Sequence, residues 1–143
     1  MAQNLKNHTR LSVPYHFIMV PLILIFIAVA AYNFNKAMKA DTGRIVAGLF
    51  LLGSVILVIM AGLTRVYALT AQDRAIRAEE NLRFFSLTGK RFPKNLQLKQ
   101  IVALRFASDE ELENLVNKAV TEGLSSSAIK QQINNWREDN NRV

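Results

Sequence analysis

Cysteine is absent from the chain, which removes disulfides, thiolate metal ligands and a thiol nucleophile from consideration. Phosphate-binding loops are missing as well. Thr88-Gly89-Lys90 brings a glycine beside a lysine but without the spacing that cradles a phosphate. His8 and His16 stand too far from any carboxylate in sequence to suggest a metal or haem site. No cofactor and no catalytic residue is implied. The acidic run Asp109, Glu110, Glu111 and Glu113 reads as the solvated start of a helix.

Charge is the scarcest commodity in the first half. From Val13 to Leu63 the ionisable groups besides tyrosine are His16, Lys36, Lys39, Asp41 and Arg44, whereas charges recur every few residues from Arg65 onward. Apolar and charged residues are thus segregated along the chain and not by helix face. Two uncharged runs result, FIMVPLILIFIAVAAYNF (Phe17 to Phe34) and IVAGLFLLGSVILVIMAGL (Ile45 to Leu63). At about 1.5 Å rise per residue each approaches the roughly 30 Å thickness of a bilayer's hydrocarbon. Neither has a polar stripe, and a chain of 143 residues has too little other protein to cover two such helices on every side. Small-x-small at Ala28-Val29-Ala30 resembles a signal cleavage site. The long leading segment and the length of the apolar run favour a retained span.

The expected fold is an all-α membrane protein: a two-helix transmembrane hairpin, a helical stalk and a small cytoplasmic three-helix domain. Its parts are a tail over 1–13, a first span over 14–35, a loop over 36–44, a second span over 45–67, a stalk and linker over 68–94, and a helical domain over 95–143. Pro14 suits a first helical turn, Pro21 predicts a kink or a delayed regular start, and Asn33 and Asn35 predict the end of the first helix. Asp41 or Thr42 is the expected cap of the second. Gly48, Gly53, Ser54, Ala61 and Gly62 are candidates for close helix packing. His16, Lys36, Lys39, Arg44, Arg65 and Tyr67 are candidates for the membrane interface.

The net charge of +7 is spread over tail, loop and C-terminal half, so it points to anionic lipid heads before nucleic acid. Basic residues flanking the spans, Lys6, Arg10, Arg65, Arg74, Arg77 and Arg83 against Lys36, Lys39 and Arg44, favour both termini in the cytoplasm.

Beyond the second run the helix is expected to continue through Phe85, with acid-first pairs Asp73–Arg77 and Glu79–Arg83. Thr88 to Pro93 breaks it. Phe84, Phe85, Phe92, Phe106 and Trp136 are candidates for core or partner contacts. Three short helices follow. The first is expected over Leu96 to Phe106. The second starts with a capping box at Ser108 and Glu111, buries Leu112, Leu115, Val116, Ala119 and Val120, and ends at Gly123 with Leu124 closing a Schellman motif. The third starts at Ser125 or Ser126 and aligns Ile129, Ile133 and Trp136 on one face, with Glu138 to Val143 frayed unless docked.

The segments KNHTR, PYHF, QDRAIRAEENLRF, QIVALRFASDEEL and AIKQQINNWREDNNRV resemble a family of small uncharacterised bacterial membrane proteins with two predicted transmembrane helices. The resemblance covers nearly the whole chain. It implies a two-span protein of the bacterial inner membrane and carries over no catalytic residue.

Two functional classes follow. One is a non-enzymatic membrane subunit or scaffold, anchored by the hairpin in the lipid bilayer. Its partner is another membrane protein or a second copy, and the stalk and the QIVALRF helix are the expected contact surfaces. The other is a membrane-tethered nucleic-acid module, from the loose helix-turn-helix look of DEELENLVNKAV and SSSAIKQQINNW. Its acidic first helix would repel phosphate, and its second offers only Lys130 and Arg137 as cations.

Overall fold

The computed structural model describes residues 4–5 and 11–139. Lys6, His8, Arg10, the KNHTR segment and the last residues of the chain lie outside them. The regular elements among the described residues are all helices, with one isolated bridge between Ala107 and Trp136 in place of any strand. A π-helical turn, Pro14–Met19, leads into α1 (Val20–Ala40). Then come α2 (Arg44–Thr88), α3 (Leu98–Leu104), α4 (Asp109–Thr121) and α5 (Ser126–Gln132). The chain divides into two compact units, Leu11–Ala68 and the part that begins at Leu69.

In the first unit, Pro21 delays the regular helix as its chemistry requires. It sits in the opening turn of α1, where its missing N–H is not needed, and the preceding turns are wound as a π-helix in which Val20 N–H bonds back to Tyr15 O. The first helix does not end at Asn33 or Asn35. Asn33 Nδ2 donates to Val29 O at 3.0 Å, so its amide is spent on the helix's own carbonyl ladder and offers no turn. The helix runs on to Ala40, and Lys36 and Lys39 stand on its last turns instead of in a loop. The connection shrinks to Asp41–Gly43. Asp41, expected at the head of the second helix, instead terminates the first in the left-handed region, φ 56°. Gly43, φ 69°, completes the reversal and accepts the first bond of α2, from Ala47 N–H at 3.0 Å.

α1 and the first part of α2 meet through small residues and rings. Ala30, Ala47 and Ser54 are the residues buried in this unit. Phe26 and Phe50 meet edge to face with centroids 6.4 Å apart, and the Phe34 ring passes over Gly48. Tyr15 O–H donates to Ala61 O at 3.2 Å. Both helices are long and apolar enough to cross a membrane, and little of either is covered by protein. In their most apolar stretches 6% and 11% of residues are buried.

The second unit is a small lobe packed on the last turns of α2. Phe84 enters its core and stacks on Phe92 at 4.7 Å. α2 ends at Gly89, φ 71°, whose N–H returns to Phe85 O. α3 is shorter than expected, because Pro93 and Asn95 lie in the loop and the cap falls at Gln97. Gln97 N–H donates to Gln100 Oε1 at 2.7 Å, and the same amide's Nε2 donates to Leu124 O at 2.8 Å and Ala119 O at 3.3 Å. One buried side chain thereby starts α3 and holds the end of α4. Ile101, Leu104, Phe106, Leu112, Val116 and Ile129 form the centre of the core.

α4 ends as its sequence dictates. Gly123 has φ 62°, and Leu124 N–H reaches Ala119 O, the outer bond of a Schellman motif. Its start differs from expectation. Ser108 Oγ makes no hydrogen bond, and Glu111 accepts from the N–H groups of Asn134 and Asn135 at 3.2 and 3.1 Å. The capping box does not form because Glu111 is engaged by the returning chain. α5 begins with Ser125 Oγ accepting from Ala128 N–H. It stops at Gln132, so Ile133 and Trp136 lie beyond the helix. There the chain turns extended, bridges Ala107 at Trp136 and sets the Trp136 ring 5.3 Å from Phe106.

Gln100→Ala in the full-length protein is expected to cost about 2 kcal/mol, because it leaves the Leu124 carbonyl and the Gln97 N–H without their buried partner. Denaturant unfolding followed by the fluorescence of Trp136, the only tryptophan, measures it. A loss below a few tenths of a kcal/mol would contradict this role.

Candidate functional site

The densest chemistry in the described residues is an ionic cluster where α2 meets the lobe. Arg83 is its hub. Its Nε donates to Asp109 Oδ1 at 2.7 Å, its Nη1 to Glu80 Oε2 at 2.9 Å, and its Nη2 to the Ala107 carbonyl at 2.8 Å. The sequence pairs Arg83 with Glu79, four residues back. The structure pairs it with Glu80, three residues back and turned toward the lobe. One guanidinium thus ties its own helix to the α3–α4 junction and to the first residue of α4, using the fixed fork that lysine lacks.

Two further cations complete the cluster. Arg137 Nη1 lies 3.5 Å from the second oxygen of Glu80, and Arg105 Nε lies 3.2 Å from Asp139 Oδ2. Arg105 also sets its guanidinium 4.6 Å from the centre of the Phe106 ring. Asp139, expected in a segment frayed unless docked, is docked through Arg105, and the residues after it lie outside those described. Arg137 N–H donates to Phe106 O at 2.7 Å and holds the segment from the other side. A cavity of about 170 Å³ opens between these groups, lined by Gln72, Ile76, Glu80, Arg105, Arg137 and Asp139 among others.

Glu80 is the strained member of this set. Burial pushes its carboxyl above the ordinary value of 4.5, and the hydrogen bond and charge of Arg83 followed by the charges of Arg137 and Arg105 pull it only part of the way back. Arg83, Arg105 and Arg137 face Glu80, Asp109 and Asp139, so the charges are matched. No nucleophile stands in the cavity lining, and among the described residues no group of three His, Asp or Glu could hold a metal ion. The arrangement is suited to fastening the lobe.

The other candidates fall in two places. At one end of the first unit the Arg65 guanidinium lies 5.4 Å from the Tyr15 ring, His16 Nδ1 lies 3.0 Å from Ser12 O, and Tyr67 is exposed. At the other end stand Lys36, Lys39 and Arg44, the last paired with Asp41. Of the small residues, Ser54 is fully buried and bonds to Leu51 O, Ala61 accepts from Tyr15, and Gly48 lies under Phe34. Gly53 and Gly62 face open space.

Ala30 and Ala47 were missed by sequence reasoning. The seven-residue spacing of Ala47, Ser54 and Ala61 was the available signal. Gln100, Glu80 and Arg105 were missed too, and no local pattern marks them. Among the aromatic candidates, Phe84, Phe92, Phe106 and Trp136 belong to the lobe's packing, and Phe85 is exposed. The QIVALRF segment, expected to be exposed, faces the core: Gln100, Ile101 and Ala103 to Phe106 are all buried. Lys130 lies 5.6 Å from the Phe106 ring centre.

Two outcomes are expected. Arg83→Met should lower stability by about 3 kcal/mol, since it strands the buried carboxylate of Glu80, and adding Glu80→Gln should recover part of that loss; denaturant unfolding of the two variants decides it. Glu80 also carries a pH signature. Its folded carboxyl takes up a proton at higher pH than the unfolded one, so its contribution to stability grows as pH falls from neutral toward 4.5. The stability of the native protein relative to Glu80→Gln should therefore rise over that range. A flat difference would show that Glu80 titrates alike in both states.

Nothing among curated proteins or solved structures matched the chain. A family model did match, over residues 1–143, and the chain belongs to that family, DUF6526, a family of unknown function.

Proposed function

We propose that this is a non-enzymatic, two-span protein of the bacterial inner membrane that serves as a subunit or scaffold. The hairpin is its anchor and packing surface, and the structure that follows Leu69 is its module for binding a protein partner. The observation that carries the reading is the bareness of the two apolar helices, of which 6% and 11% of the most apolar stretch is buried. Side chains such as Leu22, Ile25, Leu49, Phe50 and Ile59 are half exposed or more. Water would charge about 25 cal/mol for every Å² of that surface, and lipid would not. Cationic and aromatic side chains gather at the two ends of the hairpin, with Tyr15, His16, Arg65 and Tyr67 at one and Lys36, Lys39 and Arg44 at the other. This suits the headgroup regions.

A role as anchor and scaffold, in place of transport, is supported by the absence of Asp, Glu, Lys and Arg from either apolar run. A partner-binding role beyond the hairpin is supported by the lobe's internal economy. Its buried charges satisfy one another, while Leu82, Phe85 and Leu87 on α2 remain exposed. Both termini are assigned to the cytoplasm on the positive charge that follows the second span.

The protein is expected to remain in the membrane pellet after alkaline washing. Reporter fusions at Val143 and in the turn between Ala40 and Arg44 should fall on opposite sides, with Val143 inside. Purification in native lipid should retain a second protein or a second copy. A chain released by the wash would remove the anchor, and a strictly monomeric, partner-free protein would remove the scaffold.

A further inference from the structure

Beyond Leu69, α2 has two apolar sides, and the lobe accounts for only one. Ile76, Glu80 and Phe84 are buried on the lobe side. On the far side stand Ala71, Ala78, Leu82 and Phe85, with Ala75 at its border, where it also lines the lobe-side cavity; all five are exposed, Leu82 by 67% and Phe85 by 49%. At about 100° per residue the first four point roughly opposite to Ile76 and Glu80. A helix that rests on a lobe with one face needs only polar residues on the other. Here that face is apolar, and its steps alternate between four and three residues, the spacing of a coiled-coil seam.

The flanking charges say what covers it. With Ala75 and Leu82 at the a positions and Ala71, Ala78 and Phe85 at d, Arg74 occupies a g position and Glu79 the e position of the next heptad. Both are exposed. In a parallel pair a g residue faces the e residue five positions on, so Arg74 meets the partner's Glu79, and symmetry repeats the contact. In an antiparallel pair g positions face g and e positions face e, so Arg74 would not meet Glu79 and the complementary contact would be lost.

We propose that this face of α2, from Ala71 to Phe85, is a dimer interface on which a second copy of the chain packs as a parallel two-stranded coiled coil. The inference deepens the scaffold reading by naming the partner, and it rests on that reading in one respect. Two heptads are too short to associate strongly alone, and two copies anchored with one orientation in the same bilayer have both the alignment and the local concentration required.

The absence of native cysteine allows a direct test. Ala71→Cys, Ala78→Cys and Phe85→Cys are prepared singly in the full-length protein, reconstituted into phospholipid vesicles at low protein density and oxidised mildly. Each should give a disulfide-linked dimer. Arg77→Cys, on the flank, should give about tenfold less, since a disulfide needs Cα atoms within about 7 Å. Glu79→Arg should reduce the Ala78→Cys cross-link severalfold, and adding Arg74→Glu should restore it. Cross-linking at one of the three seam positions alone would mean an antiparallel pair and overturn the proposal, as would yields no higher than the Arg77→Cys control. Flotation of the same samples reads the anchor separately. Vesicle-bound protein without seam cross-links refutes the dimer and leaves the anchor, whereas protein that cross-links along the seam but does not float refutes the anchor and leaves the dimer.

Discussion

Arg83 donates in three directions at once, to Glu80 on its own helix, to Asp109 at the start of α4 and to the Ala107 carbonyl between α3 and α4. The lobe's attachment to α2 depends on that fork. A core this small gains little from apolar burial alone. Phe84 supplies an apolar contact from α2, and Arg83 beside it fixes how α3 and α4 lie against that helix. The cost is a carboxylate held out of water, and Glu80 bears it. Arg137 and Arg105 then bring the segment up to Asp139 back over the same spot, so it returns to the point where the lobe is fastened.

Two patterns of burial occur in one chain. In the first unit side chains face outward with no protein over them, and the buried contacts are few and small: Ala30, Ala47 and Ser54. In the lobe the usual rule holds, with large apolar residues inside and charges at the edge. Polar groups follow suit. In the first unit Asn33, Ser54 and Thr64 turn their side chains onto carbonyls of their own helix. In the second unit Ser86, Thr88 and Thr121 do the same, while Gln100, Glu111 and Arg83 reach across to other elements.

What was legible in the sequence was what short-range physics decides. The two apolar runs are visible because composition changes along the chain. Gly123 and Leu124 announce the end of α4 because a left-handed residue and its closing bond lie within one turn. The Ser108–Glu111 box looked equally local, yet Glu111 became the acceptor for the Asn134 and Asn135 N–H groups of the returning chain. Trp136 fits a helical face with Ile129 and Ile133 on paper, but the pairing of Trp136 with Ala107 won over continuing the helix. Arg83 could be matched to Glu79 or Glu80 by spacing alone, and only the position of the lobe chooses between them.

Phe106 shows where a purely hydrophobic account of this lobe falls short. Its ring is buried among apolar neighbours, yet Arg105 lies 4.6 Å and Lys130 5.6 Å from its centre. An aromatic ring carries negative potential on its faces. Phe106 therefore acts as an acceptor of positive charge alongside the carboxylate of Asp139, which Arg105 also reaches. Leucine would match its greasiness without offering a face to either cation. The lobe's tolerance at this position is set by quadrupole as much as by volume.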